Sequence, residues 1–179
     1  MNAHPGRMAD DERERIARAR RIWDAVASAR GTLAERYLRA RGVRAALPPS
    51  LRFAERTWHG PAQRRLPALV AAVARGRGFV GIHGTFLAEP GRKAEVEPAK
   101  MMLGPVAGGA VRLSRGGPVL VVAEGIETGL SVLDALDGLP VAVWAALSTG
   151  GLSGLRLDGP FDAVVVAADG DEPARSAAE

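Results

Sequence analysis

Three short apolar runs constrain this chain most: Val119-Leu120-Val121-Val122-Ala123, Val141 to Ala146 and Ala163 to Ala168. The first is continuously apolar, as a strand covered on both faces must be. Between the first two, Ile126, Leu130, Leu133 and Leu136 recur at helical spacing, and Leu152 to Leu157 makes a short helical turn. Strands separated by helices imply parallel order and right-handed crossovers. The last third of the chain is therefore expected to be an α/β unit, with another helix starting at Glu172. Only 4% of the residues are aromatic against 47% hydrophobic, so the core has to be built from Ala, Val and Leu.

Upstream the rhythm differs. The first ten residues read as a tail. From Asp11, Ile16, Ala19, Ile22-Trp23 and Val26-Ala27 recur at helical spacing, and Gly31 is expected to end that helix. Thr32-Leu33-Ala34-Glu35 reads as a capping box, with Thr32 taking the Glu35 amide and Glu35 reaching back to the Thr32 amide. The second helix presents Leu33, Tyr37 and Leu38 and stops at Gly42. Residues 11–42 thus form a helical hairpin that needs something to pack on, closed by Pro48-Pro49.

Residues 50–115 are β-rich. Leu66 to Val73 is apolar, Arg75-Gly76-Arg77-Gly78 is a turn, and Phe79 to Leu87 alternates as a strand does. Glu89-Pro90-Gly91-Arg92 is a second turn, Pro98 to Pro105 a loop or short strand, and Ala110 to Leu113 a strand. Gly116-Gly117 marks a boundary. The expected fold is a smaller α+β region over 11–115 followed by an α/β domain with a parallel sheet over 116–179.

The charge balance changes sign at the same boundary. The chain as a whole carries +4, but residues 1–115 hold 22 Lys+Arg against 10 Asp+Glu, a balance of +12. Residues 116–179 hold 2 against 10, a balance of −8. Lys93 and Lys100 are the only lysines, so the basic half is almost wholly arginine, whose guanidinium fork suits phosphate. A basic half joined to an acidic half suits a polyanion on one side and metal cations on the other; a solvated arginine surface is the plain alternative. The absence of cysteine excludes disulfides and thiolate zinc sites. No run of about 18 apolar residues could cross a bilayer, and the start lacks the apolar core of a secretory signal. A cytoplasmic protein without a membrane partner is expected.

In a parallel sheet, ligands bind at the carboxyl ends of the strands. Two strands here run into acids: Val122-Ala123-Glu124-Gly125, and Ala167-Ala168-Asp169-Gly170-Asp171. A single such acid is most simply a helix N-cap. Two in one short α/β unit point instead to carboxylates converging on a hard cation such as Mg²⁺. Gly170 would permit a tight turn between two carboxylates that share an ion.

These residues resemble the Toprim domain of phage, plasmid and mobile-element DNA primases. The match consists of Val121 to Gly125, then Leu147-Ser148-Thr149-Gly150-Gly151, then Asp169-Gly170-Asp171 with the downstream Arg175. Gly31-Thr32-x-Ala34-Glu35-Arg36-Tyr37-Leu38, Val80 to Leu87 and Lys100 to Pro105 resemble the primase regions of primase–helicase proteins. The resemblance implies that Glu124, Asp169 and Asp171 form the catalytic and metal-binding set. Glu124 would act as general acid/base or ligand, with Mg²⁺ (Mn²⁺ as a substitute) held by the acids and no zinc. It further implies phosphate or nucleotide contacts from Lys100, Arg112 and Arg175, with Glu127 either a supporting carboxylate or a solvated one. The partners implied are single-stranded DNA, NTPs and a replicative helicase, and the activity implied is synthesis of short RNA primers. Alternatives are a Toprim nuclease and a non-catalytic DNA-binding fragment.

Other residues read as structural. His83, without a nearby second histidine or cysteine, is a packed or surface histidine before it is a metal ligand. Trp23 and Trp144 lie on apolar faces and belong to the core, whereas Trp58, beside Arg56 and His59, could stack on a base. The family's zinc module and a Walker A motif are both missing from the sequence. The Toprim fold continues past the point where this chain stops, so a fragment of a larger primase–helicase is expected.

Overall fold

The computed structural model describes residues 5–167, with side-chain surroundings given from residue 9 onward. Helix α1 (Pro5–Ala25) comes first, then β1 (Ala27–Ser28) and α2 (Leu33–Ala40). Strands β2 (Leu51–His59), β3 (Arg64–Arg75), β4 (Gly78–Ala88), β5 (Arg92–Lys93) and β6 (Lys100–Leu103) follow. The C-terminal part holds β7 (Val111–Arg112), β8 (Val119–Ala123), α3 (Ile126–Ala135), β9 (Val141–Ala145), α4 (Thr149–Ser153) and β10 (Ala163–Ala167).

Two sheets organise these elements. The first is antiparallel, in order β1-β2-β3-β4, with β5 and β6 both pairing with β4. The second runs β10-β8-β9-β7, with β10, β8 and β9 parallel and β7 antiparallel at the edge. This is the α+β region followed by the Toprim-like α/β part that the sequence predicts. The strand at Val111–Arg112 precedes Gly116-Gly117 in the chain, yet it pairs with β9 in the second sheet.

Alternation along β3 separates two cores. Ala68, Val70 and the flanking Leu66 and Ala72 face Ala19 and Trp23 of α1. Leu69, Ala71 and Val73 face the opposite way, toward Leu33, Ala34, Tyr37 and Leu38 of α2 and toward Ile126 and Leu130 of α3. The two N-terminal helices therefore find their packing surface on opposite faces of one sheet. Val121, Val143 and Ala145 of the second sheet join the α2 core, so the basic and acidic parts share one interior. The outer face of the second sheet, with Leu120, Val122, Ala142 and Trp144, is covered by Leu152 of α4.

Local details differ from the sequence expectation for physical reasons. Helix α1 starts at Pro5, six residues before Asp11, because proline is suited to a first helical turn. It stops at Ala25 rather than Gly31, since Ala27 and Ser28 pair with Phe53 and Arg52 of β2. The cap of α2 is also displaced: the Thr32 hydroxyl accepts from the Ala34 amide at 3.2 Å, and Glu35 accepts from the Gly31 amide at 2.6 Å. The same two side chains satisfy helix-end amides, each one residue nearer the N-terminus than expected.

Candidate active site

Glu124 follows directly on β8, and the next residue, Gly125, is the N-cap of α3 with no side-chain cap of its own. Because β8, β9 and β10 are parallel and in register, Ala123, Ala145 and Ala167 are level with one another. The Ala146 amide donates to the Ala123 carbonyl at 2.9 Å and ties the ends of β8 and β9 together. The chain then turns sharply, with Leu147 at φ 75. The Ser148 hydroxyl caps α4 by accepting from the Gly151 amide at 2.9 Å. Gly151 has to be glycine: a Cβ there would lie 2.0 Å from the Ala146 carbonyl oxygen. This turn delivers the Thr149 hydroxyl to Glu124, where it donates to Oε1 at 3.2 Å.

In the first turn of α3, Glu127 points at the first sheet. Its Oε1 accepts from the Tyr37 hydroxyl at 2.6 Å and lies 3.7 Å from the Lys100 ammonium. Burial alone would raise its pKa, but the Tyr37 hydrogen bond, Lys100 and Lys93 together outweigh that and hold it below 4.5. Tyr37 is 1% exposed, and burial with the adjacent Glu127 carboxylate holds its hydroxyl far above the ordinary phenol range. Lys93 is lowered by burial and by Lys100, against the pull of Glu127. The antiparallel register places Thr85 opposite Lys100 and Leu87 opposite Lys93, so both lysines stand over one face of β4.

His83 lies on that face, paired in register with Met102. It is buried, its Nδ1 has no hydrogen-bond partner, and burial followed by the nearby Lys100 lowers its pKa to about 4. It is a packed, neutral histidine. Trp23 and Trp144 are buried in two different cores, and Trp58 is exposed.

Arg112 sits elsewhere. Its guanidinium binds both oxygens of Asp158, at 2.7 and 3.0 Å, donates to the Gly76 carbonyl, and stacks 4.7 Å from the centre of the Trp144 ring. These contacts fasten β7 to the outer face of the second sheet. Asp169, Asp171 and Arg175 lie outside the described residues. Among the described residues no group of three His, Cys, Asp or Glu side chains is placed to hold a metal ion. Glu124 is a hard oxygen donor of the kind Mg²⁺ takes, on the ligand-binding edge of the sheet, and so fits one ligand of such a site. The structure thus brings Glu124 to that edge and joins Lys100 to Glu127.

Three participants were not legible beforehand as partners: Tyr37, Lys93 and Thr149. Thr149 lies in a turn that stood out only for its small residues. The Tyr37–Glu127 contact spans 90 positions, and no local spacing encodes it.

Comparison with protein families divides the chain in two. Residues 119–179 match a Toprim domain. Residues 13–113 match a family described as Domain of unknown function (DUF7146). No curated protein and no solved structure matches the chain. No described helix is long and apolar enough to cross a membrane. A Toprim domain implies DNA primase, nuclease or topoisomerase-type chemistry and contact with nucleic acid. With more than half its length matched, the chain belongs to the DUF7146 family and carries a Toprim domain after it.

Proposed function

We propose that this protein is a primase-type Toprim nucleotidyltransferase that makes short RNA primers on single-stranded DNA, as part of a mobile-element primase–helicase. The observation that carries the reading is Glu124 itself, a carboxylate at the end of a parallel strand inside the Toprim match, steadied by Thr149. In the first turn of α3, three residues after Glu124, Glu127 binds Lys100 from the basic half, so a cationic strand meets the helix that follows the acidic strand end. Asp169 and Asp171, two and four positions past Ala167 in sequence, complete the proposed set with Glu124.

Glu124, Asp169 and Asp171 would hold Mg²⁺, which supplies charge neutralisation for a triphosphate and its leaving pyrophosphate. Lys100 and Lys93 place positive charge where that triphosphate would lie, and Arg175 adds to it from the acidic half. Glu127 and Tyr37 set the position of Lys100. Arg112, already engaged by Asp158, supports the outer wall and is a phosphate contact only if that ion pair opens. A tyrosine-dependent strand cleaver is disfavoured, because the sole tyrosine, Tyr37, is buried, hydrogen-bonded and held protonated. A helicase, NTPs and a cytoplasmic setting follow from the same reading.

The test is thermal melting with and without Mg²⁺ plus NTP, on wild type, Asp169→Asn and Glu124→Gln. A ligand that binds only the folded state raises Tm, by about 2.7 kcal/mol of stabilisation at a hundredfold excess over Kd. Wild type is expected to gain stability and both variants to lose the gain. If wild type does not respond while salt-sensitive DNA binding persists, the chain is a binding module and the catalytic reading fails.

A further inference from the structure

A groove of about 550 Å³ opens between the C-terminal end of α1 and the outer edge of β2. Strand β1 covers that edge only at Arg52 and Phe53. Beyond it, a register shift between Ala54 and Thr57 puts an extra residue into β2, and Trp58 then pairs with Arg65 of β3. Ile22, Val26 and Ala54, all on the α1 side of the sheet, give the groove an apolar floor, and Arg56, Trp58 and Arg65 also line it.

Trp58 is 48% exposed, whereas Trp23 and Trp144 are 8% and 4% exposed. Neither Arg56 nor Arg65 has a carboxylate within 4.0 Å among the described residues, although Glu55 also lines the groove. A half-exposed indole, an apolar floor and two unengaged guanidiniums are jointly wasteful for a monomer in water, and they match the chemistry of a nucleotide in a strand. The indole offers a face that any base can stack on, and the guanidiniums suit the flanking phosphates.

We infer that this groove holds a single-stranded nucleic acid, with a base stacked on Trp58 and phosphates on Arg56 and Arg65. The inference rests on the strand-binding part of the function proposed above and not on its metal chemistry. β2 and β6 lie on opposite sides of the β3–β4 pair, about 14 Å apart at ordinary strand spacing. The groove is therefore a holding site, separated from Lys100 by the width of the sheet.

Titration of the full chain with a dye-labelled oligo(dT) in EDTA tests this by anisotropy and by intrinsic tryptophan emission. The oligonucleotide is expected to quench the emission, since Trp58 is the exposed tryptophan. Trp58→Ala should abolish the quenching and weaken binding about tenfold, while Trp58→Phe keeps most of the affinity. Arg56→Ala with Arg65→Ala should reduce the slope of log K against log salt by about 1.4, for two phosphates released. Wild-type affinity in Trp58→Ala, or quenching that survives it, overturns the inference. So does sedimentation showing a dimer that Trp58→Ala dissociates, for then a second copy fills the groove. Because EDTA is present, failure here leaves the Mg²⁺–NTP melting result standing, and failure of that result leaves this one.

Discussion

β3 and β10 are written in nearly the same alphabet, Leu69-Val70-Ala71-Ala72-Val73 against Ala163-Val164-Val165-Val166-Ala167, yet they end in different surroundings. Leu69, Val70, Ala71 and Val73 are at most 1% exposed, while Val164 and Val165 are 44% and 51% exposed. β3 has a strand on each side and a layer on each face: α1 on one, α2 and α3 on the other. β10 pairs with β8 alone among the described residues, and α4, a helix of five residues, sits over the β9 side of its sheet. Burial returns only at Val166 and Ala167, which pack on the outer and inner cores beside the candidate site. An apolar run therefore states that a strand can be buried on both faces; the neighbouring layers decide whether it is.

The comparison breaks most visibly by substitution. Leu69→Ala should cost about 2–5 kcal/mol in urea denaturation, since it opens a cavity between sheet and α2. Val165→Thr should stay within about 0.5 kcal/mol. A large cost for Val165→Thr would mean that the inner face of β10 at Val165 is covered in solution.

The two buried histidines extend the contrast to titration. His59 is satisfied on both nitrogens, by the Pro98 carbonyl at 2.9 Å and the Ala62 amide at 3.0 Å, whereas His83 Nδ1 has no partner. His83 has its pKa lowered from 6.5 to about 4, so between those values the unfolded chain binds a proton that the folded chain refuses. The stability associated with neutral His83 is complete above pH 6.5 and lost as pH falls toward 4, on the order of 3 kcal/mol. His83→Leu should flatten that part of the pH–stability curve.

Smaller effects separate the two parts of the polar seam. Tyr37→Phe removes a hydrogen bond to a charged group and should cost about 1.5–3 kcal/mol at pH 7. The stabilisation from Glu127, whose folded pKa is lowered, is present above 4.5 and lost as pH falls through the folded value. A double-mutant cycle of Tyr37→Phe with Glu127→Gln should show coupling; additivity would mean that the hydroxyl is held by something else. Arg112→Lys, at a half-exposed ion pair over Trp144, should cost about 1 kcal/mol, and a larger loss would mark β7 as a main fastening of the second sheet.

Much of this molecule was written locally. The apolar runs at 119–123 and 141–146, the described part of the run at 163–168, the helix between the first two and the strand over 79–87 all reach the structure, with their described ends shifted by at most a residue or two. Thr32 and Glu35 cap α2, though with displaced amides, because capping needs only the chain's own neighbours. Glu124 was identifiable from its place after an apolar strand and before a glycine. Strand β2 escaped notice because Arg52, Glu55 and Arg56 interrupt its pattern, and the bulge at 54–57 shifts the alternation halfway along.

Sequence by itself determined most of the strands and helices, β1 and β2 excepted, and which acid stands at a strand end, because periodicity and capping act over a few residues. Only the tertiary structure decided that α1 and α2 take opposite faces of one sheet. It alone enrolled Val111–Arg112 in the second sheet, bound Arg112 to Asp158, and joined Tyr37 and Lys100 to Glu127. Those outcomes depend on which surfaces exclude water from one another across 27 to 90 positions of chain, and no local pattern carries that information.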